Sequence, residues 1–334
     1  MQKLPEQPDS PDNTEDLNEP RYEPGEYRIE IPVDTAREDI ENSFLDFKVE
    51  RIEYLSEGIG STTFLVNGEF VFRFAKNEQS SASTEKEIKV LPEIQTKIDV
   101  PVPIFEYVGS QRSNLRLVGY KKIEGESLEK VDEKLTRQLA TFFQQLHSID
   151  IATAEQWRLH KQNFHSFYEN ELEDARGYVY SLLKQAYPAD AQRIKDYIEQ
   201  LFATYLSDKE NFKNKPAVLH GDLEAEHIIF NKQSRKIAGI IDWGGARIGD
   251  PDYDLWRPYS HYGSEFVEEF LKHCPHQSPE CLQKKLDFFF RAQMIHRTVR
   301  QIMLGDQEMA RWNLVRVRKQ ALGIGYWYHE LRED

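Results

Sequence analysis

The sequence predicts an α+β protein with a small antiparallel β-sheet region followed by a mainly helical one. Three observations carry this. Apolar alternation with turn signals runs from Val49 to Tyr120. Helical spacing of apolar residues dominates from about residue 133 onward. Two short apolar runs interrupt the helical half, and an aspartate closely follows each: Val218-Leu219-His220-Gly221-Asp222 and Ile237-Ala238-Gly239-Ile240-Ile241-Asp242.

The chain has 334 residues, enough for a sizeable core in one large or two medium domains. Residues 1–25 are rich in Pro, Glu, Asp and Asn and lack hydrophobic periodicity, so they read as a disordered acidic tail. Residues 1–50 hold 15 Asp/Glu against 5 Lys/Arg, a net of −10, which leaves only −4 for the remaining 284. That acidity disfavours nucleic acid as a partner. No run approaches the ~18 apolar residues of a membrane span, and no apolar signal segment opens the chain. With only Cys274 and Cys281, the composition points to a reducing, cytoplasmic setting.

The β-rich lobe is expected over residues 26–124 and the helical lobe over 125–334. Ile29, Ile31 and Val33 alternate like a short strand. Strands about Val49–Leu55 and Thr63–Val66 flank Glu57-Gly58-Ile59-Gly60-Ser61-Thr62, and Asn67-Gly68 predicts a two-residue hairpin turn to Glu69–Phe74. A Gly-containing loop between strands, followed by a strand carrying Arg73, describes a phosphate clamp in which backbone N–H groups and the Ser61 and Thr62 hydroxyls face phosphate. Gly-Ile-Gly-Ser alone reads better as a plain hairpin turn. A helix from Ser83 ends near Ile98, ahead of Pro101 and Pro103, and carries Glu87, a candidate ion-pair partner for Arg73. Pro103–Val108 and Leu115–Tyr120 form another hairpin, and Lys121–Leu128 connects the lobes. Helices follow over about 133–149, 166–185, 190–206, 255–273, 282–304 and 307–330, with a polar loop from Asp208 to Pro216.

Asp222 and Asp242, each at the end of a buried strand, suit metal-assisted phosphoryl transfer: one orients an acceptor hydroxyl, the other holds a metal on nucleotide phosphates. His227 lies where a second metal-facing ligand would sit, although imidazole is a soft partner for Mg²⁺ and a phosphate or hydroxyl contact is the alternative. Each residue alone reads as a turn Asp or a satisfied polar His; the ordered set is far more specific.

His220-Gly221-Asp222-Leu223, His227-Ile228, Gly239-Ile240-Ile241-Asp242-Trp243-Gly244 and Ile248-Gly249-Asp250-Pro251-Asp252-Tyr253-Asp254-Leu255 resemble the aminoglycoside phosphotransferase family of small-molecule kinases, over about residues 48–325. The resemblance implies a protein-kinase-like two-lobe fold with nucleotide between the lobes. It implies Asp222 as the catalytic aspartate and Asp242 as a Mg²⁺ ligand. His227 falls at a metal-ligand position more often held by Asn. Arg73 stands where kinases place a phosphate-binding Lys, with Lys76 nearby able to share the role, and Glu87 matches its helix partner. Tyr120 takes the gatekeeper position, with the backbones of Lys121 and Ile123 meeting the base. Asp250 and Asp254 match largely structural aspartates that cap or tether the helix beginning at Leu255. Implied reactants are ATP or GTP, Mg²⁺ and a small-molecule hydroxyl substrate, either an aminoglycoside-like antibiotic or a metabolite, with no membrane partner. A polycationic acceptor needs carboxylates near Asp222; Glu224 and Glu226 are the candidates, with surface charge as the alternative. Trp256, Tyr259, Tyr262, His296 and Arg300 are candidates to line the acceptor pocket, core packing being the alternative. His273, Cys274, His276 and Cys281 match no strong zinc spacing. The alternative class is a nucleotide-binding pseudokinase acting as an interaction module, which the departures at Arg73 and His227 allow and the intact Asp222 and Asp242 oppose. No room remains after Asp242 for the long activation segment of a protein kinase.

Overall fold

The computed structural model describes residues 31–58 and 60–325. The acidic tail over 1–25, the alternation at Ile29 and the last residues of the helix expected over 307–330 lie outside them.

A five-stranded antiparallel sheet forms the N-terminal lobe, in the order β1-β2-β3-β5-β4. Its strands are β1 (Ile52–Glu57), β2 (Ser61–Val66), β3 (Phe70–Ala75), β4 (Phe105–Ser110) and β5 (Arg116–Lys121). In place of the strand expected near Ile31 and Val33, helix α1 (Val33–Ser43) crosses one face of the sheet. Ala36 and Ile40, four residues apart, share one side of this helix and are fully buried, and Pro32 stands at its N-cap, so two apolar anchors outweigh a three-residue alternation. They pack with Phe64, Val66, Phe72, Phe74 and Leu117. The rings of Phe44, Phe47, Phe72 and Tyr107 close this core edge to face, 4.8 Å apart for Phe47 and Tyr107.

The hairpin at Asn67-Gly68 has three loop residues, not two, since Val66 pairs with Phe70. Asn67 is committed elsewhere: its N–H donates to Arg51 O (2.8 Å), and its side-chain oxygen accepts from Glu50 N (2.9 Å) and Arg51 N (3.1 Å). Asn suits the site because φ is +55° there.

Helix α2 (Glu78–Gln95) covers the opposite face of β3 and β5. It begins before Ser83 because the Asn77 side chain caps it, accepting from Ser80 N at 2.8 Å. The small polar run Ser80-Ser81 reads as a loop only until the cap is recognised.

The C-terminal lobe is mainly helical: α3 (Glu133–His147), α4 (Ile151–Gln156), α5 (Phe164–Asp174), α6 (Tyr180–Ala186), α7 (Ala191–Ser207), α8 (Trp256–Tyr262), α9 (Ser264–His273), α10 (Pro279–Met303) and α11 (Gln307–Leu322). A π-helical turn, Ala175–Val179, joins α5 to α6 where one helix was expected. The helix expected over 255–273 divides into α8 and α9 at Gly263, whose φ of +83° an α-helix cannot accommodate. The polar loop after α7 contains a short 3₁₀ turn, Lys209–Phe212. Near the lobe boundary, β6 (Glu126–Ser127), β8 (Ile228–Asn231) and β9 (Lys236–Ile240) form one small sheet, and β7 (Ala217–Leu219) pairs with β10 (Arg247–Gly249) in another. Among the described residues no helix is long and apolar enough to cross a membrane.

Candidate active site

Strand β7 is wholly buried and delivers His220-Gly221-Asp222 to the lobe interface. Gly221 has φ +79°, and a Cβ there would sit 2.2 Å from Gly245 O, so only glycine lets the two loops approach. The buried Asp254 carboxylate accepts from His220 N (3.0 Å) and Gly221 N (2.8 Å), with His147 Nε2 at 3.1 Å. Asp254 therefore tethers the start of the following helix, at Trp256, to the His220–Asp222 loop and does not cap it. Asp250 does cap: it accepts from Asp252 N at 3.1 Å across the turn Pro251–Leu255.

His220 is buried and donates Nε2–H to Ile241 O (3.1 Å), which leaves Nδ1 to accept from Asp222 N (3.3 Å). Burial, with His227 beside it, holds its pKa below the usual range, so a neutral ring braces both aspartate loops. Burial works to raise the Asp222 carboxyl, but the Arg257 guanidinium outweighs this and holds it below the ordinary carboxylate range. Arg257 Nη2 lies 2.6 Å from Asp222 Oδ1. Such a carboxylate is a weak base and a firm hydrogen-bond acceptor, suited to orienting a hydroxyl.

Asp242 follows β9 in the left-handed region (φ 61°, ψ 69°), and that turn presents its carboxylate to the cleft. Trp243, buried behind it, donates to Ile240 O at 2.9 Å and locks the turn. His227 places Nε2 3.5 Å from Asp242 Oδ2, while Nδ1 donates to the Asp222 carbonyl at 2.7 Å. A neutral His227 ring therefore has its acceptor nitrogen toward Asp242. Mg²⁺ is commonly held by one or two carboxylates plus substrate phosphates, so the exposed Asp242 carboxylate is the group here that fits it, with the His227 ring beside it.

Across the cleft, Arg73 Nη2 pairs with Glu87 Oε1 at 2.6 Å, joining β3 to α2 as the residue order suggested. Burial works against the Arg73 charge, but Glu87 and Asp242 raise its pKa, so it stays a cation. Lys76 has a different task from the one considered for it: it pairs with Glu57 and donates to Gly58 O (2.9 Å), bracing the glycine loop. Lys86, which sequence inspection passed over, donates to Gly244 O (2.9 Å) and Ala246 O (3.1 Å), tying α2 to the Asp242 turn.

The two halves enclose a cleft of about 630 Å³. Gly58, Gly60, Ser61, Arg73, Glu87, Asp222 and Asp242 line it together. Thr62, Tyr120, Lys121, Ile123 and His227 are outside that lining. Strand alternation turns the Thr62 side chain to the face shared with Phe64 and Val66, where it is buried. Tyr120 is buried within the field of Arg73, and burial pushes its phenol up to about 12. Lys121 is exposed and reaches Glu69 (3.3 Å), and Ile123 packs over Gly239.

Beyond Asp222, the expected carboxylate cluster does not form. Glu224 is taken by Arg257 and by Arg297 at 3.2 Å, and Glu226 is exposed outside the cleft. Of the expected pocket residues, His296 and Arg300 line the cleft, whereas Trp256 and Tyr259 are core, and Tyr262 packs against the core and donates to Leu128 O (2.6 Å). His273 pairs with Glu269 and His276 with Asp252, both at 3.2 Å, so these histidines serve separate carboxylates instead of a shared zinc site. Arg158, Arg247 and Arg257 were missed. They come from three separate elements, and no local pattern brings them together.

Fold and site define a phosphotransferase of the kinase-like two-lobe class. The chain belongs to the phosphotransferase enzyme family, whose model matches residues 51–276. The structure is similar to the GDP complex of wild-type aminoglycoside 2′-phosphotransferase-IIIa, with a TM-score of 0.79 and 26% identity, covering 87% of this chain and 98% of that one. It is similar to the GDP and kanamycin complex of APH(2″)-IIIa, with a TM-score of 0.78 and 26% identity, covering 86% and 97%. A macrolide 2′-phosphotransferase, MphH from Brachybacterium faecium, shares the fold at a TM-score of 0.65 and 17% identity, over 84% and 96%.

Proposed function

We propose that this protein transfers the γ-phosphoryl group of ATP or GTP to a hydroxyl of a small molecule. The observation that carries the reading is the convergence of Asp222, Asp242 and the Arg73–Glu87 pair on one cleft. Arg73, fixed by Glu87, holds the α/β phosphates, and Gly60 and Ser61 line the cleft where they would be covered. Asp242, with His227 beside it, would hold Mg²⁺, which would supply neutralisation of the charge on the nucleotide phosphates. Asp222 accepts a hydrogen bond from the acceptor hydroxyl. The acceptor oxygen forms a bond to Pγ, the bridging Pγ–O bond breaks, the nucleoside diphosphate leaves with the electron pair, and the hydroxyl proton passes to Asp222 or on to solvent. Because Arg257 lowers the basicity of Asp222, orientation contributes more than early proton removal. Tyr120, with the Lys121 and Ile123 backbones, is the proposed purine side. The GDP in the two 26%-identical relatives makes GTP the first nucleotide to test.

The test is a γ-phosphate transfer assay with ATP and GTP against aminoglycosides, macrolides and common metabolites, with Mg²⁺ and with EDTA. Mg²⁺-dependent transfer is expected; nucleotide that binds with Mg²⁺ but never turns over would instead identify a nucleotide-binding pseudokinase. Arg73→Met is expected to weaken nucleotide binding by about 10–150-fold, the worth of a hydrogen bond to a charged group, as measured by isothermal titration. Because truncation leaves Glu87 buried alone, the Arg73→Met/Glu87→Gln double variant is the control. It is expected to regain stability without regaining affinity.

A further inference from the structure

Helix α2 lines the cleft with Ser83, Lys86 and Glu87. At i, i+3 and i+4 they share one side of the helix. Glu87 uses that side to hold Arg73 at 2.6 Å. Lys86 uses it to reach the other lobe. Its ammonium donates to Gly244 O (2.9 Å) and Ala246 O (3.1 Å), and Ser83 Oγ donates to Gly244 O at 3.4 Å. The carbonyl between these two, Gly245 O, accepts from Arg247 Nε at 2.9 Å within the C-terminal lobe. The backbone that follows Asp242 is thus gripped from both lobes, and Lys86 grips it from the N-terminal one.

Two features tie this contact to Asp242 itself. Asp242 is left-handed (φ 61°, ψ 69°), a conformation that a residue other than glycine keeps only where its surroundings hold it. Gly244 lies close to both acidic groups: a Cβ built there would stand 3.6 Å from Asp242 Oδ1 and 3.7 Å from Glu87 Oε1. One helix face therefore meets the phosphate-holding arginine through Glu87 and the metal-fitting turn through Lys86. Burial holds the Lys86 pKa below the usual lysine range despite the attraction of Glu87. An ammonium partly removed from water depends on the carbonyls that replace it.

We infer that Lys86 is a positioning residue for the metal site: it fixes the Gly244–Ala246 backbone to the helix that fixes Arg73, and so sets the Asp242 carboxylate relative to the nucleotide phosphates. The inference rests on the phosphotransfer reading and adds a residue to its machinery. The Lys86 ammonium is engaged by backbone oxygens, so its effect on the reaction passes through Asp242.

The test uses the full chain as wild type, Lys86→Met, Lys86→Gln and Lys86→Arg. The β,γ-imido analogues of ATP and GTP, which resist γ-phosphoryl transfer, are titrated calorimetrically in EDTA and across a series of Mg²⁺ concentrations. Lys86→Met is expected to raise the Mg²⁺ concentration that half-maximally tightens nucleotide binding by about 10–100-fold, the usual effect of removing a group that orients a metal ligand. Affinity in EDTA should stay at the wild-type value, because Arg73 and Glu87 are untouched. Lys86→Arg keeps a cation with several donors and should recover most of the shift. Lys86→Gln keeps one neutral amide and should shift the requirement in the same direction as Lys86→Met, which covers a Lys86→Met chain that fails to fold. A second readout needs neither metal nor nucleotide. The Ala246 amide, bonded to Trp243 O at 3.0 Å, should exchange its hydrogen at least about tenfold faster in Lys86→Met while α3 keeps its protection. A Mg²⁺ requirement equal to that of the wild type, even with lower stability in urea, overturns the inference and leaves phosphotransfer standing. Loss of affinity in EDTA places Lys86 on the phosphates and overturns it too. Wild-type nucleotide binding that is indifferent to Mg²⁺ overturns both the inference and the metal role of Asp242.

Discussion

Asp222→Asn is expected to lower kcat by about 10²–10⁴-fold while leaving Mg²⁺–nucleotide affinity near that of the wild type. The substitution keeps the size of the side chain and one acceptor oxygen, so the loop clamped by Asp254 has no reason to move. It removes the charge proposed to orient the acceptor hydroxyl. It also leaves Arg257, 2.6 Å from Asp222 Oδ1, without that carboxylate. A steady-state assay combined with nucleotide titration separates the outcomes. A fall in kcat with unchanged nucleotide binding places Asp222 at the acceptor, whereas loss of nucleotide affinity places it at the phosphates. Wild-type turnover in this variant would remove Asp222 from the mechanism.

The largest stability effect is expected at Lys285, which is fully buried on α10. Its ammonium pairs with Asp250 and lies 2.7 Å from Asp252, and Asn214 donates to both carboxylates at 2.8 and 2.7 Å. Lys285→Met fills similar space but leaves Asp250 without its cation and Asp252 with His276 alone, 3.2 Å away. Removing one partner from a buried ionic cluster costs about 3–5 kcal/mol, to be read from urea unfolding. Adding Asp250→Asn and Asp252→Asn should recover part of that loss, since the penalty comes from uncompensated charge. The same turn carries Asp254, whose carboxylate holds the His220 and Gly221 amides. Activity should therefore fall further than the folded fraction accounts for. A Lys285→Met protein as stable as the wild type would show that the cluster is not what anchors this turn.

The fold was legible in the residues wherever a local signal sufficed. Alternation around Phe64, Phe72 and Leu117 marked the central strands. The spacing of Leu135, Leu139, Phe142 and Phe143 marked α3, and Asn67-Gly68 marked a hairpin, though not its length. Helix α1 was hidden because Ile31 and Val33 mimic a strand, while its real anchors, Ala36 and Ile40, have meaning only against the sheet they cover. Gly263 was read as an ordinary helix residue because a φ of +83° cannot be seen in sequence. Asp222 and Asp242 each follow a buried strand, and Arg73 and Glu87 sit on one strand and one helix, so local order was enough to anticipate that they share a cleft. Parity misplaced the Thr62 hydroxyl: neighbouring strand residues face opposite sides, so Ser61 and Thr62 cannot both turn toward the cleft. Asp254 was legible as a cap or tether, but its partners, His220 and Gly221, were not, because they lie more than thirty residues earlier in the chain. The arginines that line the cleft were hidden for the same reason. Arg158, Arg247, Arg257 and Arg300 are scattered over the sequence, and only the packing of the C-terminal lobe brings them to one surface.

The most direct measurement of the central claim is the initial rate of γ-phosphoryl loss from ATP and GTP, to acceptor or to water, with and without Mg²⁺. It is to be made on the wild-type, Asp222→Asn and Asp242→Asn proteins. A two-aspartate phosphotransferase predicts Mg²⁺-dependent turnover in the wild type. It predicts a collapse of rate with retained nucleotide binding in Asp222→Asn, and a collapse with weakened Mg²⁺ dependence in Asp242→Asn. Equal rates in all three proteins, or turnover indifferent to Mg²⁺, would contradict it.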